Sequence, residues 1–567
     1  MPPSLTLTER SRLARIAVDR TRRSLVARAL RSPVLKWRYG APTVDELLIV
    51  PQELRTADPS FAGELAQGQL GLGGAVASIG DGSIFDVAPP SEVWSRSLHG
   101  FGWLRNLSAA GSDEDREMAR DAILTWIERY PPRAGGVAWQ PDVVGRRLQS
   151  WLANVPFVFE GIDSSTYDRI ADSLGLQLVQ LATRWRDAPD GYPRLEALIG
   201  LLTGSLCIAG RDNNVLEFER AIVGEIQAQV LADGGHISRN TNLVIELLLD
   251  LLPLQTCFTA RDRKFHPELS AAIARLLRFL RYMRLGDGSL TRFNGMGATP
   301  FDSLATLLAY DPAPESNLAS APNSGYARLA SGDMIMVVDV GTPPSLEHAG
   351  TACAGALSFE LSIGDEAVFV NAGSPGPSDQ DWLATSRSTA SHNTLCLNTS
   401  SSSKLLRNKM LNRLVRASPI RYPNKVAVEL NKERDGAILK CTHDGYVRKF
   451  SLTHKRELFM ARDGSRVTGE DIIGAGTGSV RFARDLPYAI HFHLDNDIIC
   501  RHDSDPAAAI LELRNGEMWR FTARGTTLSI EDSINFADLA GPTRSSQIVL
   551  RGASFGETRV NWALEPA

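Results

Sequence analysis

The apolar positions of this 567-residue chain change period once, near residue 320. Between about 95 and 310 they recur every three to four residues, the spacing of one face of an α-helix. Glu117–Tyr130 puts Met118, Ala122, Ile123 and Trp126 on one stripe, and Val143–Val155 does the same with Val144, Leu148, Trp151, Leu152 and Val155. Ser165, with Asp168 three residues on, predicts the start of a third helix through a variant capping box. Leu174, Leu178, Leu181 and Trp185 continue its apolar face. Further helices are expected at 193–209, 213–232, 241–254 and 267–284, separated by short Gly, Asp and Pro breaks such as Asp190-Gly-Tyr-Pro193 and Asp233-Gly-Gly235. Short connections make successive helices antiparallel neighbours, and a bundle, a solenoid and an α/α toroid all satisfy that pattern.

Beyond the Pro/Ser/Asn-rich stretch Asp311–Ser324 the period falls to two. Met334–Val340, Lys425–Leu430, Glu457–Met460, Ala489–Leu494, Met518–Thr522 and Gln547–Leu550 read as short strands, and Asp463-Gly464 and Asn515-Gly516 as hairpin turns. Many short antiparallel strands predict a β-sandwich. A helical domain followed by a sandwich also suits the length, which exceeds what one ordinary core covers.

Composition changes this picture little. A net charge of −4 with 43% apolar and 22% charged residues is ordinary for a globular protein, and no nucleic-acid partner is expected. No uninterrupted apolar run reaches the ~18 residues of a membrane span. The cysteines (Cys207, Cys257, Cys353, Cys396, Cys441 and Cys500) are scattered without a C-x-x-C pair, which argues against a zinc ribbon or a dense disulfide framework and favours a reduced compartment. Residues 1–40 hold ten Arg and Lys against Glu9 and Asp19, with apolar residues interleaved and no readable secretory signal. They read as a basic amphipathic helix. It either docks on the protein or a neighbour, or makes peripheral contact with an anionic membrane.

Candidate chemistry gathers in four places. Asp233-Gly-Gly-His-Ile-Ser-Arg-Asn-Thr-Asn242 lies between two helices, where a sharp Gly turn brings His236, Arg239 and Asn240 together. Eliminative cleavage of a uronate needs its carboxylate neutralised, a base for the C5 proton and an acid for the leaving oxygen. Asn240 and Arg239 suit the first task and His236 the others; a polar helix cap uses the same residues. Arg387-Ser-Thr-Ala-Ser-His-Asn-Thr394 sets His392 near Arg387, whose guanidinium can hold a carboxylate. Trp103 with Arg105, and Trp139 with Arg147, pair an aromatic face for a sugar ring with a guanidinium for its acid group. Trp126, Trp151 and Trp185 sit on apolar faces and read as core. His491 and His493 alternate on one strand face, expected to be exposed rather than metal-ligating. Glu246 and Asp250 read as a helix salt-bridge pair.

Taken in order, several segments resemble the heparinase II/III-like family. They are Gly235–Asn240, Phe293-Asn-Gly-Met-Gly-Ala298, Ala356–Gly373 with its Ser-Phe-Glu-Leu strand, Arg387–Thr394, His443-Asp-Gly-Tyr446, and Thr453-His-Lys-Arg456 with Gly469-Glu-Asp471. The segments around Trp103 and Arg147/Trp151 extend the likeness. The resemblance implies an α+β multidomain chain, with a lead-in over 1–90, an α/α toroid over 91–315 and an antiparallel β-sandwich over 320–567, and a substrate cleft between the last two. It implies a polysaccharide lyase that cleaves an acidic, uronate-containing polysaccharide in the periplasm or cell envelope; without a readable signal, the cytoplasm is the alternative. Asn240 would neutralise the carboxylate, and His392 would face it from the sandwich. The family's His-x-His-x-Asp positions are Thr351, Cys353 and Gly355 here. Its zinc ligands fall on Cys353, Asn371 and His392, a degraded set, so no cofactor is expected beyond a possible structural zinc. The acid/base tyrosine falls near Phe293-Asn294, with Tyr282 and Tyr326 as substitutes. The rival expectation is a non-catalytic glycan-binding or envelope-assembly protein on the same fold. Hydrolysis by paired carboxylates is a third.

Overall fold

The computed structural model describes residues 46–567 apart from 81, 133–134, 312–317, 377–379, 406–418, 476–484, 539–540 and 555, together with scattered positions from 10 to 44. The basic segment 1–40 therefore lies almost wholly outside the described residues.

A lead-in holds α1 (Ser60–Ala66) and a hairpin of β1 (Gln69–Leu72) and β2 (Ala75–Ser78), which the sequence pattern did not predict. Helices follow as α2 (Glu92–Gly100), α3 (Leu104–Ala110), α4 (Asp113–Arg129), α5 (Pro141–Ala153), α6 (Val155–Phe159) and α7 (Ser164–Arg184). Then come α8 (Tyr192–Cys207), α9 (Asp212–Gln229), α10 (Thr241–Ala260), α11 (Pro267–Tyr282) and α12 (Phe301–Ala309). Helices α2, α5, α8 and α10 touch in that order as an inner ring, and α4 with α7 and α9 with α11 pack outside it. This alternation is the α/α toroid.

Local chemistry sets the helix ends. Asp163, not Ser165, caps α7: its carboxylate accepts the Ser165 and Thr166 N–H groups, each at 3.0 Å. Pro opens α5, α8 and α11 within their first two positions, where its missing N–H costs nothing. α10 runs six residues past its expected end, through Pro253. It is buried nearly all round, which erases the one-sided stripe that marks a helix end. By length and composition α10 could cross a bilayer, but two-thirds of its apolar window is packed inside the protein. Trp126 and Trp151 are core, as their stripes predict; truncating such a buried Trp costs about 3–5 kcal/mol.

The sandwich strands are β3 (Tyr326–Ser331), β4 (Met334–Asp339), β5 (Phe359–Ile363), β6 (Glu366–Phe369), β7 (Leu395–Leu397), β8 (Val426–Lys432), β9 (Gly436–His443), β10 (Leu452–Ala461) and β11 (Val467–Ala475). β12 (Leu486–His493), β13 (Ile499–His502), β14 (Ala508–Glu512), β15 (Met518–Arg524), β16 (Thr527–Asn535), β17 (Thr543–Ser554) and β18 (Thr558–Pro566) complete it. An eight-stranded sheet runs β13-β14-β15-β18-β11-β10-β9-β8; four-stranded sheets run β16-β17-β12-β7 and β3-β4-β5-β6. All pairings between these strands are antiparallel. Their inner faces share one apolar core, which includes Phe359, Phe492, Phe521 and Trp562. A separate core fills the toroid.

Candidate functional site

The toroid meets the sandwich along the loop 351–358, which enters β5. From the toroid, the Asn240 side-chain Nδ2 approaches Thr351 Oγ1 at 3.4 Å, while its Oδ1 accepts the Asn242 N–H and caps α10. Asn294 Oδ1 accepts the Cys353 N–H at 3.2 Å. From the sandwich, the Arg387 Nε and Nη2 both donate to the Ala352 carbonyl, at 2.9 and 2.6 Å. Thr389 Oγ1 donates to the Ala354 carbonyl at 2.7 Å. His392 packs on Gly355 so closely that a Cβ there would sit 2.6 Å from its Cδ2. Asn240, Arg387 and His392 thus converge on one short loop.

The other predicted members are elsewhere engaged. His236 is buried with Nδ1 at 2.7 Å from Ser238 Oγ and Nε2 at 3.2 Å from Gln229 Oε1. Burial, with His348 adding to it, lowers its pKa to about 3, so it stays neutral with both nitrogens occupied. Arg239 does not hold a ligand. Its guanidinium donates to the Ser324, Gly325 and Thr342 carbonyls and pairs with Asp339 at 2.6 Å, tying the toroid to β3 and β4. Arg239 has a left-handed φ of 61°, and its partners differ from those of Asn240 beside it.

The aromatic–arginine pairs are also internal. Trp103 and Trp139 are buried, donating to the Leu98 and Tyr130 carbonyls. Arg105 donates to the Thr56 and Gly102 carbonyls. Arg147 is fully buried over the Trp126 ring at 3.9 Å, bonded to Gln177 and to the His99 and Ala138 carbonyls. These residues brace the toroid instead of presenting a sugar platform. His491 and His493 are buried rather than exposed, because Gln547, Ser533 and the Ala390 carbonyl give them partners inside the sheet.

Proton chemistry at the junction narrows to one atom. His392 Nδ1 lies 2.7 Å from the Ser388 carbonyl and so carries the hydrogen. Nε2 is then an acceptor, with no partner among the described residues. Burial holds the ring's pKa below its usual value. Near the place expected for the acid/base tyrosine, at Phe293-Asn294, the Asn294 carboxamide cannot transfer a proton. Its Nδ2 donates to the Tyr326 hydroxyl at 2.9 Å and to Asp339 at 3.2 Å. Tyr326 in turn donates to the Arg239 carbonyl at 2.7 Å, and burial drives its phenol pKa up. Tyr282 donates to the Tyr326 carbonyl. Cys353 is half-buried, and burial outweighs nearby Arg387 in pushing its thiol up to about 11.

A zinc ion does not fit the expected ligands. Asn371 Oδ1 accepts the Asn393 N–H and its Nδ2 donates to Glu360, so the neutral carboxamide, a poor zinc ligand, is already held by protein partners. Among the described residues no group of three or more His, Cys, Asp and Glu could hold a metal.

Sequence reasoning missed the scaffold behind the loop. Arg456, fully buried, donates to the Leu357 and Asn393 carbonyls at 2.8 and 2.6 Å and pairs with Asp471. Asp471 also takes hydrogen bonds from His454 and Trp562. Their family segments were visible, but an arginine clasping two distant carbonyls leaves no local sequence pattern.

An α/α toroid joined to an antiparallel sandwich, with polar residues of both meeting on one loop, is the architecture of a class of polysaccharide lyases. Residues 313–563 match the family model described as Heparinase II/III-like, C-terminal, and this part of the chain is a domain of that kind. The structure of heparinase III superposes with a TM-score of 0.69 at 14% identity, covering 94% of this chain and 89% of that one. A mutant of heparan sulfate lyase HepC from Pedobacter heparinus gives 0.60 at 15%, covering 94% and 88%. At these identities the likeness is one of fold. In sequence the chain is 29% identical over 548 residues to FtsZ-localized protein C of Caulobacter vibrioides (strain NA1000 / CB15N), covering 94% of this chain and 92% of that protein.

Proposed function

We propose that this chain uses the lyase fold without eliminative chemistry, as a glycan-binding protein of the cell envelope that works beside the division machinery. The observation that carries this reading is that the junction's phenols are already committed: Tyr326 donates to the Arg239 carbonyl and Tyr282 to the Tyr326 carbonyl, while the neighbouring Asn294 offers only a carboxamide. The other expected groups support it: His236 and Arg239 are held by protein partners, so neither can serve a uronate. The relative named FtsZ-localized protein C, similar along nearly its whole length, supports a place near FtsZ. The bound glycan is acidic in the leading version, with Asn240 and Arg387 lining the loop it would approach.

One feature favours the catalytic alternative. The open Nε2 of neutral His392 is a competent base beside the loop that Asn240 also touches. Alginate, glycosaminoglycans and bacterial exopolysaccharides, each incubated with the protein, separate the two. Binding with no rise in unsaturated-uronate absorbance agrees with the proposal, whereas product lost on His392→Ala establishes the lyase. A fluorescent fusion that shows no enrichment at FtsZ rings would remove the division placement.

A further inference from the structure

Three successive inner helices carry charged residues one turn apart that the junction does not use: Asp142 and Arg146 on α5, Tyr192 and Glu196 on α8, Glu246 and Asp250 on α10. Gly145 and Gly200 let α5 and α8 touch backbone to backbone, a Cβ on Gly200 lying 2.3 Å from the Gly145 oxygen. That closeness brings the charges together. Arg146 binds Glu196 at 2.8 Å and Asp250 at 2.7 and 3.0 Å, and its Nη2 also reaches the Tyr192 hydroxyl. Arg55 from the lead-in pairs with Glu246 and Asp250 at 2.8 and 2.9 Å. Arg96 from α2 binds Asp142 and Gln140.

The cluster runs from a closed floor to a part-exposed mouth, a crevice in that sense. Asp142 and Asp250 side chains are 1% and 0% exposed, while Arg96 and Glu246 at the mouth are 29% and 34% exposed. Asp142 Oδ1, buried at the floor, has no hydrogen-bond partner, although Oδ2 is paired with Arg96. The N-terminus of α5 eases its charge but supplies no hydrogen bond to that oxygen. Four carboxylates (Asp142, Glu196, Glu246 and Asp250) face three guanidiniums (Arg55, Arg96 and Arg146), and adjacent Glu53 and Arg105 cancel. With Glu92 beside Arg96 counted as well, the cluster is two positive charges short. Burial, with Asp142 and Asp250 nearby, lifts Glu196 to about 7 despite Arg146, so near neutrality a proton fills part of the deficit.

We propose that this crevice binds an ammonium-bearing sugar, a de-N-acetylated hexosamine residue whose amine pairs with Glu196 over Asp142. The paired carboxylates and guanidiniums around it accept from and donate to the ring hydroxyls. The arriving ammonium replaces the Glu196 proton, so binding releases a proton near neutral pH. The site deepens the glycan-binding reading and rests on it.

Titration calorimetry on the full chain tests it, with glucosamine oligomers, N-acetylglucosamine oligomers, hyaluronate oligomers and tri-lysine, each in two buffers of different ionisation enthalpy. Glucosamine oligomers are expected to bind about tenfold tighter than their N-acetylated counterparts, the effect of one charge-assisted hydrogen bond. Asp142→Asn should remove about that factor, and Glu196→Gln should abolish the buffer-dependent proton release, with unchanged melting showing that both variants fold. Equal affinity for the two oligomers, binding of tri-lysine alone, or indifference to both substitutions overturns the ammonium site. Glycan binding that ignores the amine defeats this site alone; no glycan binding at all defeats it together with the reading beneath it. Uronate cleavage defeats that reading's non-eliminative claim and leaves the crevice to be judged by its own arms.

Discussion

Gly355 and His392 show how one position sets another's chemistry. At Gly355, where the resemblance led us to expect an acid, the His392 ring fills the space a Cβ needs, 2.6 Å away. Gly355→Ala should therefore lose about 1–3 kcal/mol in urea unfolding, the usual overpacking cost. Combining it with His392→Ala should recover most of that loss in a double-mutant cycle. Arg239 offers the complementary case. Arg239→Ala leaves Asp339 buried without its cation, so a loss of about 3–5 kcal/mol is expected. A wild-type unfolding midpoint for that variant would mean the strut carries no load. At this scale the sequence singled out His236, Arg239, Asn240, Arg387 and His392, of which Asn240, Arg387 and His392 come together on one loop. It did not disclose where their side chains go. For Arg239, carbonyls contributed from 85 to 103 residues away decide that.

Between elements, the close crossing of α5 and α8 governs the toroid's inner ring. A mid-helix Gly→Ala change ordinarily gains up to about 1 kcal/mol. At Gly200 the new Cβ would meet the Gly145 oxygen at 2.3 Å and its Cα at 2.5 Å, backbone that cannot swing aside. Gly200→Ala should reverse the sign and lower the melting temperature; an increase would mean that the two helices are farther apart. Helical period made α5, α8 and α10 of the ring legible but not α2, and the Pro-led starts of α5, α8 and α11 are ordinary sequence signals. Of the crevice charges, the i, i+4 pair Glu246 and Asp250 was legible, and the residues on the other two helices were not. Their convergence depends on a glycine contact between helices that periodicity on one helix cannot report.

For the whole molecule, the change of period near 320 foretold a helical domain followed by strands, because amphipathic spacing reflects the shape of the surface each element packs against. The mutual placement of the two domains rests on Arg239 and Asn294, whose partners are long-range, and so stayed hidden. Buried ionisable groups also set the stability profile. Burial depresses eight of the ten histidines, among them His99 to about 4 and His236 and His493 to about 3. Their unfolded forms take up protons below pH ~6.5 while the folded forms do not. Stability is therefore full above ~6.5 and falls as pH drops toward 4. Glu196 and Glu360 act oppositely: raised to about 7, they hold protons in the folded state and their contribution is lost as pH rises from ~4.5 through 7. The histidines outnumber them, so melting temperature should fall steadily from pH ~6.5 to 4; a flat profile would show the histidines to be solvated.

The central claim is that this lyase fold binds glycan without cleaving it. Its most direct test is the absorbance of unsaturated uronate after prolonged incubation with a panel of uronate polymers that the protein demonstrably binds. The expected result is binding with no product, for wild type and His392→Ala alike. Product from the wild type that disappears in His392→Ala would contradict it.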